Sequence, residues 1–247
     1  MWHRESDSLI VPVKAGNAAE GRRLHMVAQR KETSSVLRVG EPVGTKLRCI
    51  AEKARKEPGF KFTSLYHLLN KELLRGCFQR LRNDAAAGVD KMTKATYAEN
   101  LEANLSTLVA RLHQMAYIPQ PVRRKYIAKP GSTKQRPLGI PGFEDKLVQA
   151  GLVRILESVY EQDFIDESYG FRPARSCHNA LRSLSEAVEN NPVNHIVEAD
   201  IKGFFDNVNQ EWLLKFLAHR IADKRIQRMV KRFSQGRSVG GWEYYSK

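Results

Sequence analysis

No stretch of the 247-residue chain approaches the roughly 18 consecutive apolar residues of a membrane span, and no signal-peptide pattern opens it. A soluble, cytoplasmic protein with no membrane partner is therefore the expectation. Cysteine is scarce: Cys49, Cys77 and Cys177 are odd in number, far apart and free of any C-x-x-C pairing, so reduced thiols are expected rather than a zinc seed. The seven histidines form no H-E-x-x-H or related cluster, which argues against a transition-metal centre. Internal repeats and low-complexity tracts are absent too. Acidic residues run short: 27 Asp and Glu face 41 Lys and Arg, leaving a formal charge of +14 and a pI near 9.8. Such a surplus favours polyphosphate partners, with nucleic acid the economical reading and anionic lipid the alternative.

What is present is enough for a real core, since 42% of the residues are hydrophobic and the length suits one large or two small domains. Residues 1–44 mix charges, glycines and small residues without a sustained apolar period, so they are expected to form a flexible basic leader. A short basic helix is expected over 46–56, ended by Pro58 and Gly59. Thr63 or Ser64 then caps a helix to about residue 82, with Leu65, Leu68, Leu69, Leu73 and Phe78 on its core face. After an A-A-A-G-V-D turn, Thr93 caps a helix through about residue 114, with Leu101, Leu105, Leu108 and Leu112 along one side. Beyond Pro119 and Pro121, residues 122–128 and 134–140 read as a two-stranded basic ribbon joined by a K-P-G-S turn at 129–132. Pro141 and Gly142 break it, and helices are expected over 147–160 and 176–189. Asn209 caps a helix through His219, and Asp223 begins a last, basic one. Helices, a ribbon and then strand alternating with helix make an α+β arrangement, its sheet incomplete.

The most informative stretch is 195–206, H-I-V-E-A-D-I-K-G-F-F-D. A β-branched run delivers Asp200 to a turn marked by Gly203, with Phe204 and Phe205 just beyond. One fixed carboxylate at a strand end beside aromatics suits a magnesium-dependent phosphoryl-transfer site. An aspartate before glycine is also an ordinary turn former.

Several separated motifs, in order, resemble those of the group II intron-encoded reverse transcriptases, also called maturases. They are A-A-G-V-D at 86–90, Y-I-P-Q-P-V-R-R-K-Y-I-A-K-P-G-S-T-K-Q-R-P-L-G-I-P at 117–141, S-Y-G-F-R-P-A-R-S at 168–176, and A-D-I-K-G-F-F-D at 199–206. The resemblance implies a right-hand polymerase, with a helical extension at 45–115, fingers at 116–192 and the start of a palm at 193–247. It implies that Lys129 and Arg136, flanking the ribbon turn, meet the triphosphate of a deoxynucleotide. By the same resemblance Asp200 is the first metal-binding carboxylate, the carbonyl of Ile201 a further Mg2+ ligand, and Phe205 the ring pressed against the sugar. Arg172 and Arg175, together with Arg123, Arg124 and Lys125, are implied RNA contacts. The implied partners are group II intron RNA, an RNA template with a DNA primer, and deoxynucleoside triphosphates.

Each role has a plainer alternative in the residues themselves. The ribbon cations can be a solvated edge, Phe205 a core ring, and 169–175 a packed Tyr-Gly-Phe turn with arginines on its rim. Asp206 is assigned to turn formation, because six extended residues span about 20 Å whereas paired catalytic metals sit about 3.5 to 4 Å apart. The family's second acidic motif, Tyr-Ala-Asp-Asp, has no counterpart, since no Asp-Asp dipeptide occurs anywhere. The chain as given is thus expected to bind magnesium weakly and not to polymerise by itself. The alternative function is a non-catalytic RNA-binding module that assists intron folding and splicing.

Overall fold

A computed structural model describes residues 42–128, 135–204, 207–235 and 238–239. The leader up to residue 41, Lys129, Phe205 and Asp206 lie outside the described residues, and of Arg136 only the backbone is described. Among the described residues the chain is helix-rich with one small sheet. In order come α1 (Pro42–Lys56), α2 (Lys71–Arg80), α3 (Lys94–Glu99), α4 (Leu101–His113), β1 (Val122–Ala128) and β2 (Gln135–Ile140). They are followed by α5 (Phe143–Tyr160), α6 (Cys177–Asn190), α7 (Gln210–Arg220), α8 (Lys224–Ser234) and β3 (Ser238–Val239). No described helix is long and apolar enough to cross a membrane.

Side-chain caps set most helix starts. Thr93, Ser176, Asn209 and Asp223 accept backbone N–H bonds from Thr96, Asn179, Glu211 with Trp212, and Arg225 respectively, which satisfies donors that the first helical turn leaves open. Four boundaries differ from the sequence-based expectation. Helix α1 begins at Pro42, four residues before its expected start. Neither Thr63 nor Ser64 starts a long helix: Tyr66–Leu68 is a 3-10 turn, and Asn70 caps α2 by accepting from Leu73 N. The reason is distant in sequence, since the Asp223 carboxylate takes Leu65 N at 2.7 Å and Tyr66 N at 2.8 Å. The helix from Thr93 breaks at Asn100, whose φ of −127° and ψ of 40° separate α3 from α4. Finally, α5 starts four residues early, at Phe143, because Asp90 accepts Phe143 N at 2.9 Å and supplies the missing cap.

One apolar core joins α1, α2, α4, α5, α7 and α8, with Leu47, Leu69, Leu74, Leu105, Leu108, Leu112, Leu147, Ile155, Ile226 and Met229 all buried. The expected leucine faces of α2 and α4 are part of it. Buried polar groups tie late elements to early ones. Arg220 donates to the carbonyls of Ala54, Glu57, Pro58 and Phe60 and pairs with Asp163 at 2.9 Å, so it satisfies the orphan acceptors at the end of α1. Arg232 donates to the carbonyls of Met115 and Tyr117.

The core stops short of the acidic segment. Between Val159 and Leu217 no described apolar side chain is buried. The expected strand before Asp200 does not form: 193–201 is irregular, with Ile196, Val197 and Ile201 exposed. A strand exists only where its backbone donors and acceptors find partners, and no other described strand lies alongside it. The sheet instead has the order β2-β1-β3, with β3 pairing parallel to the first residues of β1.

Candidate nucleic-acid interface

The basic ribbon forms as its alternation requires, β1 and β2 pairing antiparallel from Arg123 with Ile140 to Ala128 with Gln135. Directly opposed residues of an antiparallel pair share a face. One face therefore carries Arg123, Lys125 and Ile127 with Ile140, Leu138 and the register position of Arg136; the other carries Arg124 and Tyr126 with Gly139 and Pro137. Tyr126, Ile127 and Leu138 are exposed. Neither Arg124 nor Lys125 has a hydrogen-bond or ion-pair partner among the described residues. Arg123 does: its guanidinium donates to the carbonyl of Ala87 at 2.7 Å.

That contact belongs to a clasp at the ribbon's base. The A-A-G-V-D turn lies against the ribbon exit, with Lys146 donating to the carbonyl of Ala86 and Asp90 holding Phe143 N. Gly88 is the residue that permits the approach, because a Cβ there would fall 2.5 Å from the Pro141 carbonyl oxygen and 2.6 Å from Gly142 Cα. Beneath it, buried Asp145 accepts from the Tyr117 hydroxyl and, at 3.1 Å, from Gln120 N. Burial raises the Asp145 pKa above its ordinary value, outweighing the lowering by those two hydrogen bonds. Burial first, and then the bond to Asp145, push the Tyr117 phenol upward as well. At the same helix start both carboxylate oxygens of Glu144 accept from Nη2 of Arg111, at 2.6 and 2.7 Å. Sequence reasoning missed Asp90 and Asp145. The available signal was a pair of acids immediately after Pro-Gly-Phe, the signature of a first helical turn.

The loop between α5 and α6 is organised around Arg172. Its guanidinium is buried, pairs with Glu161 at 2.8 Å, donates to the carbonyls of Ile165 and Ser168, and stacks 5.1 Å from the Phe164 ring. Every arm is thus spent inside the protein, as the packed-turn alternative has it. Arg175 donates to the Asp166 carbonyl at 2.6 Å and lies 5.2 Å from the Tyr169 ring. Phe171 is different: its φ is 56° and its ring is fully exposed. Ala174, three residues on, shares that φ of 56°, so the loop takes two left-handed turns that non-glycine residues seldom adopt.

Asp200 is exposed, without a hydrogen-bond or ion-pair partner among the described residues. The chain does turn at Gly203, whose φ is +63°, and Asn207 closes the turn through its backbone N–H and side-chain amide to the Gly203 carbonyl. Among the described residues no three His, Cys, Asp or Glu side chains gather into a metal-holding group. One carboxylate does not meet a divalent ion's demand for several oxygen ligands, so the described residues do not fit the implied magnesium.

Residues 127–246 match the family profile of reverse transcriptase (RNA-dependent DNA polymerase), a span that takes in most of the ribbon, the Arg172 loop and the Gly203 turn. Over 206 residues the chain is 36% identical to the group II intron-encoded protein LtrA of Lactococcus lactis subsp. cremoris, covering 83% of this chain and 34% of LtrA. It is 37% identical over 147 residues to protein YkfC of Escherichia coli K12, covering 58% of this chain and 38% of YkfC. Nuclear intron maturase 2, mitochondrial, of Arabidopsis thaliana is 30% identical over 91 residues, 36% of this chain and 12% of that protein. The chain belongs to the family of group II intron-encoded reverse transcriptases and maturases. It spans about a third of the length of LtrA.

Proposed function

We propose that the chain is the fingers and the opening of the palm of an RNA-directed DNA polymerase and maturase of a group II intron. The observation that carries this is the ribbon, which projects unpartnered Arg124 and Lys125 from a base locked rigidly to α5. A ribbon backbone already held in place leaves only side-chain freedom to be lost when its cations meet phosphate. In this reading residues 45–115 are the helical extension, 116–192 the fingers and 193–247 the start of the palm. Lys129 and Arg136 are assigned to a nucleotide triphosphate, Asp200 to the first catalytic carboxylate with the Ile201 carbonyl, and Phe205 to the sugar. Phe171 and Arg175 face the template, and Arg172 positions the loop that bears them. Intron RNA, a primed RNA template and deoxynucleoside triphosphates are the partners.

Binding measured against salt tests the ribbon. Arg124→Gln with Lys125→Gln is expected to lower the slope of log affinity against log salt by about 0.7 to 0.9 per lost phosphate contact, and an unchanged slope overturns the role. Wild type is expected to prefer group II intron RNA over an unrelated duplex at near-physiological salt; equal affinity removes the maturase reading. The same ribbon cations support a second reading, an RNA-binding module that assists intron folding and splicing without catalysis. Incorporation of a labelled deoxynucleotide on a primed RNA template, lost in Asp200→Ala, decides for the polymerase. Because the chain is expected not to polymerise by itself, binding without incorporation fits either reading, and stimulation of intron splicing by this chain alone decides for the module.

A further inference from the structure

Helix α8 carries Lys224, Arg225, Arg228, Lys231 and Arg232 and no acidic residue. With about 100° per residue, Lys224, Arg228 and Lys231 fall within one narrow arc of its surface. The opposite arc is fixed in the core through Ile226 and Met229, both fully buried, with Val230 and Phe233 half-buried. Lys224, Arg228 and Lys231 are exposed, and none forms an ion pair with another described residue; Lys224 meets only Gln227, at 3.5 Å. Arg232 is separate, being turned inward to the carbonyls of Met115 and Tyr117.

Lys224 in the first turn opposes the helix dipole, Lys231 in the last turn complements it, and the like charges three and four residues apart repel one another. Asp223, the cap, is already shared among Leu65 N, Tyr66 N and Arg225 N. This face carries one sign of charge on a rigid support, without the opposite-sign neighbours three and four residues away that stabilise a helix surface. Lys224 and Arg228 are separated by about 6 Å along the axis and Lys224 and Lys231 by about 10.5 Å, spacings that suit successive backbone phosphates.

We propose that the Lys224, Arg228 and Lys231 stripe of α8 binds the phosphodiester backbone of RNA, as a surface additional to the ribbon. The proposal rests on the nucleic-acid reading of the chain.

The test compares wild type with the triple variant Lys224→Gln, Arg228→Gln, Lys231→Gln, titrated with single-stranded and duplex RNA of equal length over a range of salt. The slope of log affinity against log salt is expected to become shallower by about 2 to 3 units. Loss on either RNA supports the stripe, and the arm that responds identifies the form bound. Arg55→Gln, Lys56→Gln, Lys61→Gln removes the same charge elsewhere and is expected to change the slope less; equal effects overturn the proposal as general electrostatics. Lys224→Arg with Lys231→Arg is expected to keep the wild-type slope, and a loss there also counts against phosphate binding. The melting temperature of the triple variant is expected to hold or rise. Absence of any wild-type binding at low salt overturns the nucleic-acid reading itself, whereas wild-type binding with an unchanged variant slope overturns only the stripe.

Discussion

Two buried side chains show how much a single residue carries. Arg220 satisfies four carbonyls and Asp163 from a nearly inaccessible position. Arg220→Met keeps the length and strips the donors, and is expected to cost at least about 1 to 3 kcal/mol in urea unfolding, the cost of leaving a buried carbonyl acceptor without its donor; Asp163 is exposed and regains water. Asp145 makes a different prediction because its pKa is raised on folding, burial outweighing its hydrogen bonds. The folded state then holds that proton more firmly than the unfolded chain. Its contribution favours folding below the ordinary aspartate value and is lost as pH climbs through the raised one. Asp145→Asn removes this term, so its stability is expected to rise more steeply with pH than that of wild type from the ordinary aspartate range upward. Parallel slopes in denaturation series at those pH values reject the assignment.

At the scale of elements, the sequence disclosed whatever local chemistry decides. The ribbon strands, α6, α7 and α8 start where alternation or a capping side chain places them, with Ser176, Asn209 and Asp223 each legible as a cap. What stayed hidden depends on residues far away. Asp90 moves the start of α5, and Asp223 converts an expected helix start into a 3-10 turn, across 53 and 158 residues respectively. The site divides in the same manner: the ribbon cations were readable as a pattern, whereas the inward use of Arg172 was not, since composition does not reveal that Glu161 waits for it. Gly88 tests the clasp. In Gly88→Ala the new Cβ meets backbone that cannot yield, and the expected cost is about 1 to 3 kcal/mol, with weaker RNA binding because the ribbon base is displaced. A full-strength clasp in that variant, seen as an unchanged melt, contradicts the packing.

Across the whole molecule, a firm helical core adjoins a long segment that buries nothing apolar. Leu181, Leu184 and Val188 on α6, Ile196, Val197 and Ile201 before the Gly203 turn, and Trp212 and Phe216 on α7 all remain exposed. Exposed large apolar side chains in such number promote association. The 247-residue polypeptide is expected to bind a hydrophobic dye and to associate at high concentration, and Leu181→Gln with Val197→Thr to reduce both while shifting stability by no more than about 0.5 kcal/mol. Unchanged dye binding in that variant places the sticky surface elsewhere. Arg220 has one more consequence, for the order of events during synthesis. The end of α1 leaves the ribosome early, yet the guanidinium that binds its carbonyls is made some 160 residues later. Such distant closure is slow, so the nascent amino-terminal helices remain open to proteases and chaperones until α7 emerges. Limited proteolysis of stalled ribosome-bound chains is expected to show protection switching on between lengths that hold Arg220 inside the exit tunnel and lengths that free it.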